Sequence, residues 1–164
     1  MSRFAEVTHH EWIAAPLEHV RAQFADLRHH IRTNVHPKLS FQEVGSAGGA
    51  YRFEQRVKLL GIRQRDIFER SFAGDGTMTD RSIEGFNKGG SVQIAFRPES
   101  RVDGSLRRDG TQVSITVKLP LPPLIGGLIR PLLCRQIRKE VVAAAAEDRH
   151  DIEVRGYRPQ RLAA

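Results

Sequence analysis

The chain has 164 residues, of which 40% are hydrophobic and 27% are charged, as in an ordinary globular protein rather than a disordered one. This length predicts a single domain over residues 1–164 with a substantial core and a loose tail over 155–164. The net charge of +7 and the pI near 10.3 favour anionic partners: nucleic acid, an acidic lipid surface or a carboxylate ligand.

The cysteine count excludes two kinds of site. Cys134 is the only cysteine, so an intrachain disulfide and a cysteine-rich metal site are both excluded. Met1–Trp12 has His9, His10 and Glu11 where a secretory signal needs an apolar core. No stretch is apolar enough over sufficient length to cross a bilayer. We therefore expect a cytoplasmic protein.

The first third of the chain predicts one strand and two short helices. Phe4–Ala14 is predicted as an edge strand that Pro16 ends. Helical spacing of apolar residues then predicts a short helix through Leu17, Val20, Phe24 and Leu27. His29–Val35 continues as a second short helix, which Pro37 terminates.

The middle of the chain predicts consecutive antiparallel strands. Apolar and polar residues alternate in Tyr51–Leu59, in Val92–Phe96 and in Val113–Leu119, which indicates a sheet with one buried face. Glycine-containing turns separate the strands at Gly48-Gly49, Gly61, Gly74-Asp75-Gly76, Gly89-Gly90, Asp103-Gly104 and Asp109-Gly110.

The C-terminal part predicts a long amphipathic helix over about Pro123–Val154. Six of its residues share one face at helical spacing: Leu133, Ile137, Val141, Ala144, Asp148 and Ile152. A carboxylate in that apolar stripe is costly unless it is paired, bound to a metal or facing a wet cavity. Asp148 is therefore the most informative single residue of the helix.

This order of elements resembles the START-type helix-grip superfamily (SRPBCC), which includes polyketide cyclases and plant pollen-allergen-like proteins. Ile13–Val20 at the first strand–helix junction, His36-Pro37 before the second strand and the proline-rich entry to the last helix are similar to that family. The resemblance implies an α+β fold, in which a curved antiparallel sheet wraps around a long C-terminal helix. It also implies a hydrophobic cavity that holds lipids, sterols or aromatic polyketides.

The resemblance and the alternation together predict the lining of this cavity. The expected ligand-binding residues are Tyr51, Phe53, Val57, Phe68, Phe96, Ile115, Val117, Ile137, Val141 and Ala144. The run of four alanines from Ala143 keeps the helix thin and leaves room for a ligand. We expect binding of a hydrophobic small molecule by a carrier or sensor. The alternative is an enzyme of the polyketide cyclase or aromatase type.

Two histidines and a carboxylate suggest a third possibility, a non-haem metal-dependent oxygenase-like domain. His29, His36 and Asp148 resemble the iron-binding triad in the catalytic domain of Rieske-type oxygenases, with iron or zinc as the metal. On an unbroken helix these histidines would lie about 10 Å apart, which is unfavourable for shared ligation. His30 is an alternative to His29, and surface roles for the histidines remain open. One cysteine cannot hold a Rieske cluster.

Asp148 is also a candidate for acid–base catalysis, with Tyr51 or an arginine as its partner. Burial beside alkyl groups is expected to raise the pKa of this carboxyl towards neutrality. The alternative is a structural salt bridge with a strand arginine such as Arg70 or Arg81.

The segment Leu59–Ile62 predicts an apolar hairpin tip between basic residues, which suits docking on an anionic membrane. The flanking cations are Arg56, Lys58, Arg63 and Arg65. The apolar segment Leu121–Leu128 is expected to lie beside it at the cavity mouth. The alternative is an ordinary hairpin that packs under the last helix. Nucleic-acid binding is not expected, because no aromatic-rich basic strand or known fingerprint is present.

Overall fold

The computed structural model describes residues 3–46 and 48–159. Within these residues, seven strands and three helices follow one another. In chain order they are β1 (Phe4–Ile13), α1 (Leu17–Ala25), α2 (Leu27–Thr33), β2 (Ser40–Glu43), β3 (Tyr51–Leu59), β4 (Ile62–Phe72), β5 (Met78–Gly85), β6 (Ser91–Asp103), β7 (Leu106–Pro120) and α3 (Gly126–Glu153).

All seven strands form one antiparallel sheet in the order β1-β7-β6-β5-β4-β3-β2. Strands β2 to β7 are a simple meander, since each pairs with its neighbour in sequence. β1 returns to pair with β7, from Phe4 opposite Pro120 to Ile13 opposite Thr111. The long helix α3 packs against the inner face of this sheet. The predicted α+β helix-grip fold is confirmed.

The inner strand positions and one face of α3 form the core. The buried stripe of α3 contains Leu133, Ile137, Val141, Ala145, Asp148 and Ile152. It differs from the predicted stripe at one position, because Ala145 is fully buried whereas Ala144 is only partly covered. α3 begins at Gly126 rather than near Pro123, and it continues through Pro131 without ending.

Two short helices lie between β1 and β2, as predicted, but the boundary between them falls earlier. Asp26 ends α1 and caps α2, where its side chain accepts a hydrogen bond from the His29 backbone N–H at 2.9 Å. α2 ends at Asn34, whose left-handed backbone (φ 50°, ψ 52°) reverses the chain direction. Thus His36 does not continue the helical rise of α2.

One predicted turn is wrong. Asp109-Gly110 lies within β7, where Gly110 pairs with Glu99 of β6. A Cβ atom at Gly110 would lie 2.5 Å from the Ile13 carbonyl oxygen and from the Trp12 ring. Glycine at this position therefore permits the close packing of β1 on β7 rather than a chain reversal.

The segment after α3 also differs from the loose tail expected from residue 155. Tyr157 is 4% exposed, and its hydroxyl donates to the Ala22 carbonyl at 3.2 Å and lies 3.1 Å from Asp26 Oδ2. Residues 160–164 of the expected tail lie outside the described residues. None of the helices in the described part of the chain has the length and hydropathy of a bilayer span.

Candidate functional site

A cavity of about 200 Å³ lies between the sheet and α3. Most of its wall is apolar, and eight of the ten residues expected to line it do so. These are Phe53, Val57, Phe68, Ile115, Val117, Ile137, Val141 and Ala144. The alanines at 143 and 144 lie on the helix side, where their small side chains leave this space unfilled. The cavity therefore follows from strand alternation combined with a thin stretch of helix.

The other two expected lining residues are placed elsewhere. The Tyr51 hydroxyl donates a hydrogen bond of 2.8 Å to Glu43 Oε1 near the edge of the sheet. Burial and the Glu43 carboxylate raise the pKa of this phenol well above its usual range. Phe96 packs edge-on against Phe24, with ring centroids 5.5 Å apart. Tyr51 is therefore not placed to be the acid–base partner of Asp148.

The polar end of the cavity is formed by His30, His36 and Asp148, all three buried. Asp148 Oδ1 lies 3.0 Å from His30 Nε2 and 3.4 Å from His36 Nε2. The two imidazole rings are tilted by 30° with their centroids 5.1 Å apart. One donor atom from each of the three side chains lies within 4.8 Å of the others.

The opposite ring nitrogens of both histidines are held by acceptors. His30 Nδ1 donates to the Asp26 carbonyl at 2.8 Å, and His36 Nδ1 donates to Glu147 Oε2 at 2.8 Å. A carbonyl and a carboxylate can only accept, so each Nδ1 carries a proton. Both Nε2 atoms consequently face Asp148 in a fixed orientation.

The predicted trio of His29, His36 and Asp148 is only partly brought together. His29 points away from Asp148, and its Nε2 lies 2.8 Å from Asp151 Oδ2. Consecutive residues on α2 face different directions, and Asp148 and Asp151 are one helical turn apart on α3, so each histidine meets its own carboxylate. The estimate of about 10 Å assumed an unbroken helix, whereas α2 ends at the left-handed residue Asn34 and His36 lies beside His30.

Gln23 links the two carboxylates of α3. Its side-chain amide nitrogen lies 3.0 Å from Asp148 Oδ1 and 3.1 Å from Asp151 Oδ2, so both oxygens accept from one amide. Gln23 is 0% exposed, and its Oε1 has no hydrogen-bond partner among the described residues. Neither Gln23 nor Glu147 was identified from the sequence. A polar residue among the apolar positions of α1 was the available signal for Gln23.

The pKa of Asp148 is shifted in the direction opposite to the one expected for an isolated buried carboxyl. Burial alone would raise the pKa of Asp148, but His36 and His30 outweigh that cost and lower it. Burial disfavours the His36 imidazolium, yet Asp148 and Glu147 outweigh this effect and raise the pKa of His36 to about 9. Asp148 is therefore an anion beside a cationic His36 near neutral pH, and the partners are histidines rather than strand arginines.

One of the strand arginines that were predicted as salt-bridge partners of Asp148 pairs with another carboxylate. Arg70 donates to both oxygens of Asp80, at 2.7 and 2.8 Å, and its guanidinium lies over the Phe53 ring. Asp66, which also lines the cavity, accepts hydrogen bonds from the backbone and side chain of Asn87. These buried polar groups are satisfied within the sheet and line the cavity without pointing a free charge into it.

The tip of the hairpin predicted to dock on a membrane is partly buried and partly exposed. Leu59 is buried and lines the cavity, whereas Leu60 and Ile62 are exposed by 37% and 52%. Leu60 and Gly61 both have positive φ, at 50° and 79°, as in the tight turns that join adjacent strands. The alternative of a tip packed beneath the last helix therefore does not describe Leu60 and Ile62.

Comparison with known proteins gives structural matches only. No family model and no curated protein matches the sequence. Among solved structures, TTHA0849 from Thermus thermophilus is 22% identical with a TM-score of 0.74, over 93% of this chain and 99% of that one. The Zhui aromatase/cyclase from Streptomyces sp. R1128 is 17% identical with a TM-score of 0.66, over 93% and 98%.

A START superfamily protein from Mycobacterium smegmatis is 12% identical with a TM-score of 0.68, over 90% of this chain and 98% of that one. At these identities the similarities establish a shared fold. The chain thus has the START-type helix-grip fold, and what it binds has to be argued from its own cavity.

The raised pKa of His36 predicts a stability that depends on pH in the metal-free protein. The pKa is 6.5 in the unfolded chain and about 9 in the folded one, so this contribution is complete below pH 6.5. It is lost as the pH rises through 9, and its full size is of order 3 kcal/mol. Urea unfolding with EDTA present, at intervals across this pH window, measures the loss.

His36→Gln is expected to flatten this pH dependence, because glutamine does not titrate. His150→Gln, at an exposed position of α3, is the control and is expected to keep the slope of the parent. Equal unfolding free energies of the parent at both ends of the window would contradict the ion pair.

Proposed function

We propose that this protein binds a compact apolar small molecule that carries a polar group. The observation that supports this proposal is a cavity with apolar walls and a buried charged cluster at one end. Small-molecule sites commonly combine these two features. The apolar part of the ligand would lie against Phe53, Phe68 and Ile137, while its polar group would face His36. The structural neighbours named as an aromatase/cyclase and a START protein support a ligand-binding use of this fold.

The size of the cavity favours some ligands over others. At about 200 Å³ it lies below the range of roughly 300–1,000 Å³ that is usual for drug-sized ligands. This favours a one- or two-ring aromatic or a short lipid over a sterol. A carrier or sensor needs only this binding step.

Catalysis is the second candidate, and one observation favours it. The cationic His36 lines the cavity, and its Nδ1–H is held by Glu147. A bound carbonyl group would therefore accept the Nε2–H in place of Asp148 Oδ1, which lies 3.4 Å away. The carboxylates of Asp148 and Glu147 hold this imidazolium in place. Proton donation to the carbonyl oxygen promotes enolisation when a base removes the α-proton, and the carboxylate of Glu147, which also lines the cavity, is the candidate base. Enolisation is a step in ring closures of aromatic polyketides.

The exposed hairpin tip supports docking on an anionic membrane as the means of ligand exchange. Lys58 and Arg63 are opposite each other on β3 and β4, and both are exposed. Like charges opposite each other destabilise a hairpin unless an anion lies nearby. Leucine at the left-handed position 60 costs a further 1–2 kcal/mol, roughly. Insertion of Leu60 and Ile62 between anionic lipids would offset both costs.

A second exposed apolar segment precedes and begins α3. Leu124, Leu128 and Leu132 recur at intervals of one helical turn and are 98%, 84% and 56% exposed. Arg130 and Arg135 are exposed within the same stretch. An interfacial helix binds anionic lipid through this combination of leucines and cations. We propose the hairpin and this segment as the membrane-facing parts of the molecule.

Filling the cavity tests ligand binding. Ala144→Trp places an indole in the cavity and is expected to abolish the fluorescence gain of prodan, a dye built on the two-ring naphthalene skeleton. Overpacking is expected to cost roughly 1–3 kcal/mol while the fold survives, as circular dichroism would show. Ala146→Trp adds the same side chain at an exposed position of α3 and is expected to leave dye binding unchanged. Equal dye binding by a folded Ala144→Trp protein would refute the cavity as the binding site.

Proton transfer is tested with a small aromatic ketone. The protein is expected to accelerate deuterium incorporation into the methyl group of acetophenone, measured by proton NMR in D₂O. His36→Gln is expected to reduce the acceleration by roughly 10²-fold, the usual contribution of a positioned acid. His150→Gln serves as the surface control. Dye binding without any acceleration in the parent would leave a carrier or sensor and dismiss the enzyme.

Membrane docking is tested by co-sedimentation with phosphatidylserine-containing vesicles. Leu60→Asn is expected to raise hairpin stability by about 1 kcal/mol, because asparagine tolerates the left-handed backbone. It is also expected to weaken vesicle binding about tenfold or more, since burial of a leucine is worth roughly 1.5–3 kcal/mol. The control Leu106→Asn changes an exposed leucine on the β6–β7 hairpin. Docking is ruled out if binding persists in high salt or is equal on neutral vesicles.

A further inference from the structure

We propose that His30, His36 and Asp148 bind a divalent first-row transition metal ion at the polar end of the cavity. The three side chains come from α2, from the loop after Asn34 and from α3. Their convergence on one point is a property of the folded chain. The inference concerns metal binding alone, so it stands or falls independently of the organic ligand.

The spacing of the ligand atoms fits a single ion. Metal bonds to histidine nitrogen and carboxylate oxygen are about 2.1 Å long, so atoms at tetrahedral to octahedral angles lie roughly 3.0–3.4 Å apart. Asp148 Oδ1 is 3.0 Å from His30 Nε2 and 3.4 Å from His36 Nε2. The two nitrogens are within 4.8 Å of each other. Little movement of the side chains is needed to surround an ion.

The hydrogen bonds made by Nδ1 of both histidines are of the kind that metal-binding histidines make. In metal sites the second ring nitrogen usually donates to a backbone carbonyl or a carboxylate, which fixes the tautomer. His30 has the first arrangement, with the Asp26 carbonyl, and His36 has the second, with Glu147. The unprotonated face of a neutral ring is therefore Nε2 in both cases, and both Nε2 atoms face the same oxygen.

Charge supports a divalent ion in particular. Without a metal, a neutral His30 or His36 would turn a nitrogen lone pair towards the Asp148 oxygen, and the two would repel. A divalent ion between them would bind both lone pairs and the Asp148 oxygen, and its charge would lie beside the carboxylates of Asp148 and Glu147.

The carboxylate is also held in place for ligation. Gln23 donates to Asp148 Oδ1 and to Asp151, so the Asp148 side chain is fixed from the side of α1. All three proposed ligands line the cavity. An ion bound by only three protein atoms keeps coordination positions for water or a ligand group on that side. Two imidazoles and one carboxylate favour Fe²⁺, Co²⁺, Ni²⁺ or Zn²⁺ over Mg²⁺, which prefers oxygen ligands.

The experiment uses the full chain, stripped with EDTA and then titrated with Co²⁺. The expected result is one equivalent of Co²⁺ bound, with visible absorption bands and a higher melting temperature that EDTA reverses. Zn²⁺ is expected to compete for the site, while Mg²⁺ is not. Absence of these bands and of any shift in melting temperature would overturn the proposal.

Single substitutions of the proposed ligands test where the ion binds. His30→Gln, His36→Gln and Asp148→Asn are each expected to weaken Co²⁺ binding by more than the roughly 10–100-fold seen for outer contacts. Glu147→Ala removes only a positioning group and is expected to fall within that outer range. His29→Gln is the matched control, because His29 is adjacent in sequence but pairs with Asp151. Unchanged binding in a folded His30→Gln or His36→Gln protein would overturn the proposed site.

A measurement on the parent protein keeps the proposal testable if these variants fail to fold. Proton–nitrogen correlation spectra of the histidine rings, recorded with and without Zn²⁺, report which ring nitrogen binds metal. We expect the Nε2 signals of His30 and His36 to shift while both Nδ1 atoms stay protonated. A shift of His9, His10 or His150 instead would mean that the ion binds on the surface and would refute the site.

Discussion

The buried Asp148 carboxylate is the constraint on which the arrangement of the site depends. A negative charge that is 4% exposed in the apolar stripe of α3 has to be compensated by groups from other parts of the chain. Those groups are His30 from α2, His36 from the following loop and Gln23 from α1. The two short helices and the loop after them are thereby fixed to α3. The position of the cavity is defined between this polar junction and the apolar sheet.

The same constraint explains why the helix grip is not filled with side chains. Polar groups that pair with Asp148 occupy one end, and they cannot extend into the apolar space beside Ile137 and Val141 without losing their partners. On the helix side, Ala143 and Ala144 are too small to fill it. The cavity is therefore the space between a hydrogen-bonded polar cluster and a curved apolar wall. Its compact size and its polar end follow from the same residues.

Much of the fold could be predicted from local sequence signals. Alternation in β3, β6 and β7 and the helical stripe of α3 each specify one buried face, and together they allow few architectures. The prediction of a turn at Asp109-Gly110 was wrong because glycine has two structural roles. It allows a chain to reverse direction, or it allows two strands to approach closely. Only the position of Trp12 against Gly110 distinguishes them, and that contact joins residues far apart in sequence.

The sequence predicted which residue types form the candidate site. It did not predict which histidine pairs with which carboxylate. Asp148 was identifiable because a carboxylate interrupts an apolar stripe, and His36 because it resembled, with His29 and Asp148, a known iron-binding triad. The choice between His29 and His30 depended on the direction in which each side chain leaves α2. The left-handed residue Asn34 decided the distance to His36, and an asparagine in the sequence does not by itself specify that conformation.

The contacts around Asp26 have a consequence for how the cavity opens. Asp26 caps α2, and its side chain also meets the Tyr157 hydroxyl from the segment after α3. His29 Nε2 and Asp151 Oδ2 add a buried contact of 2.8 Å between α2 and α3. Swinging α2 away from α3 would break these contacts together and leave several polar groups without partners. Motions that open the cavity while keeping these contacts would have to occur at its apolar margin, where side chains that slide lose only dispersion contacts.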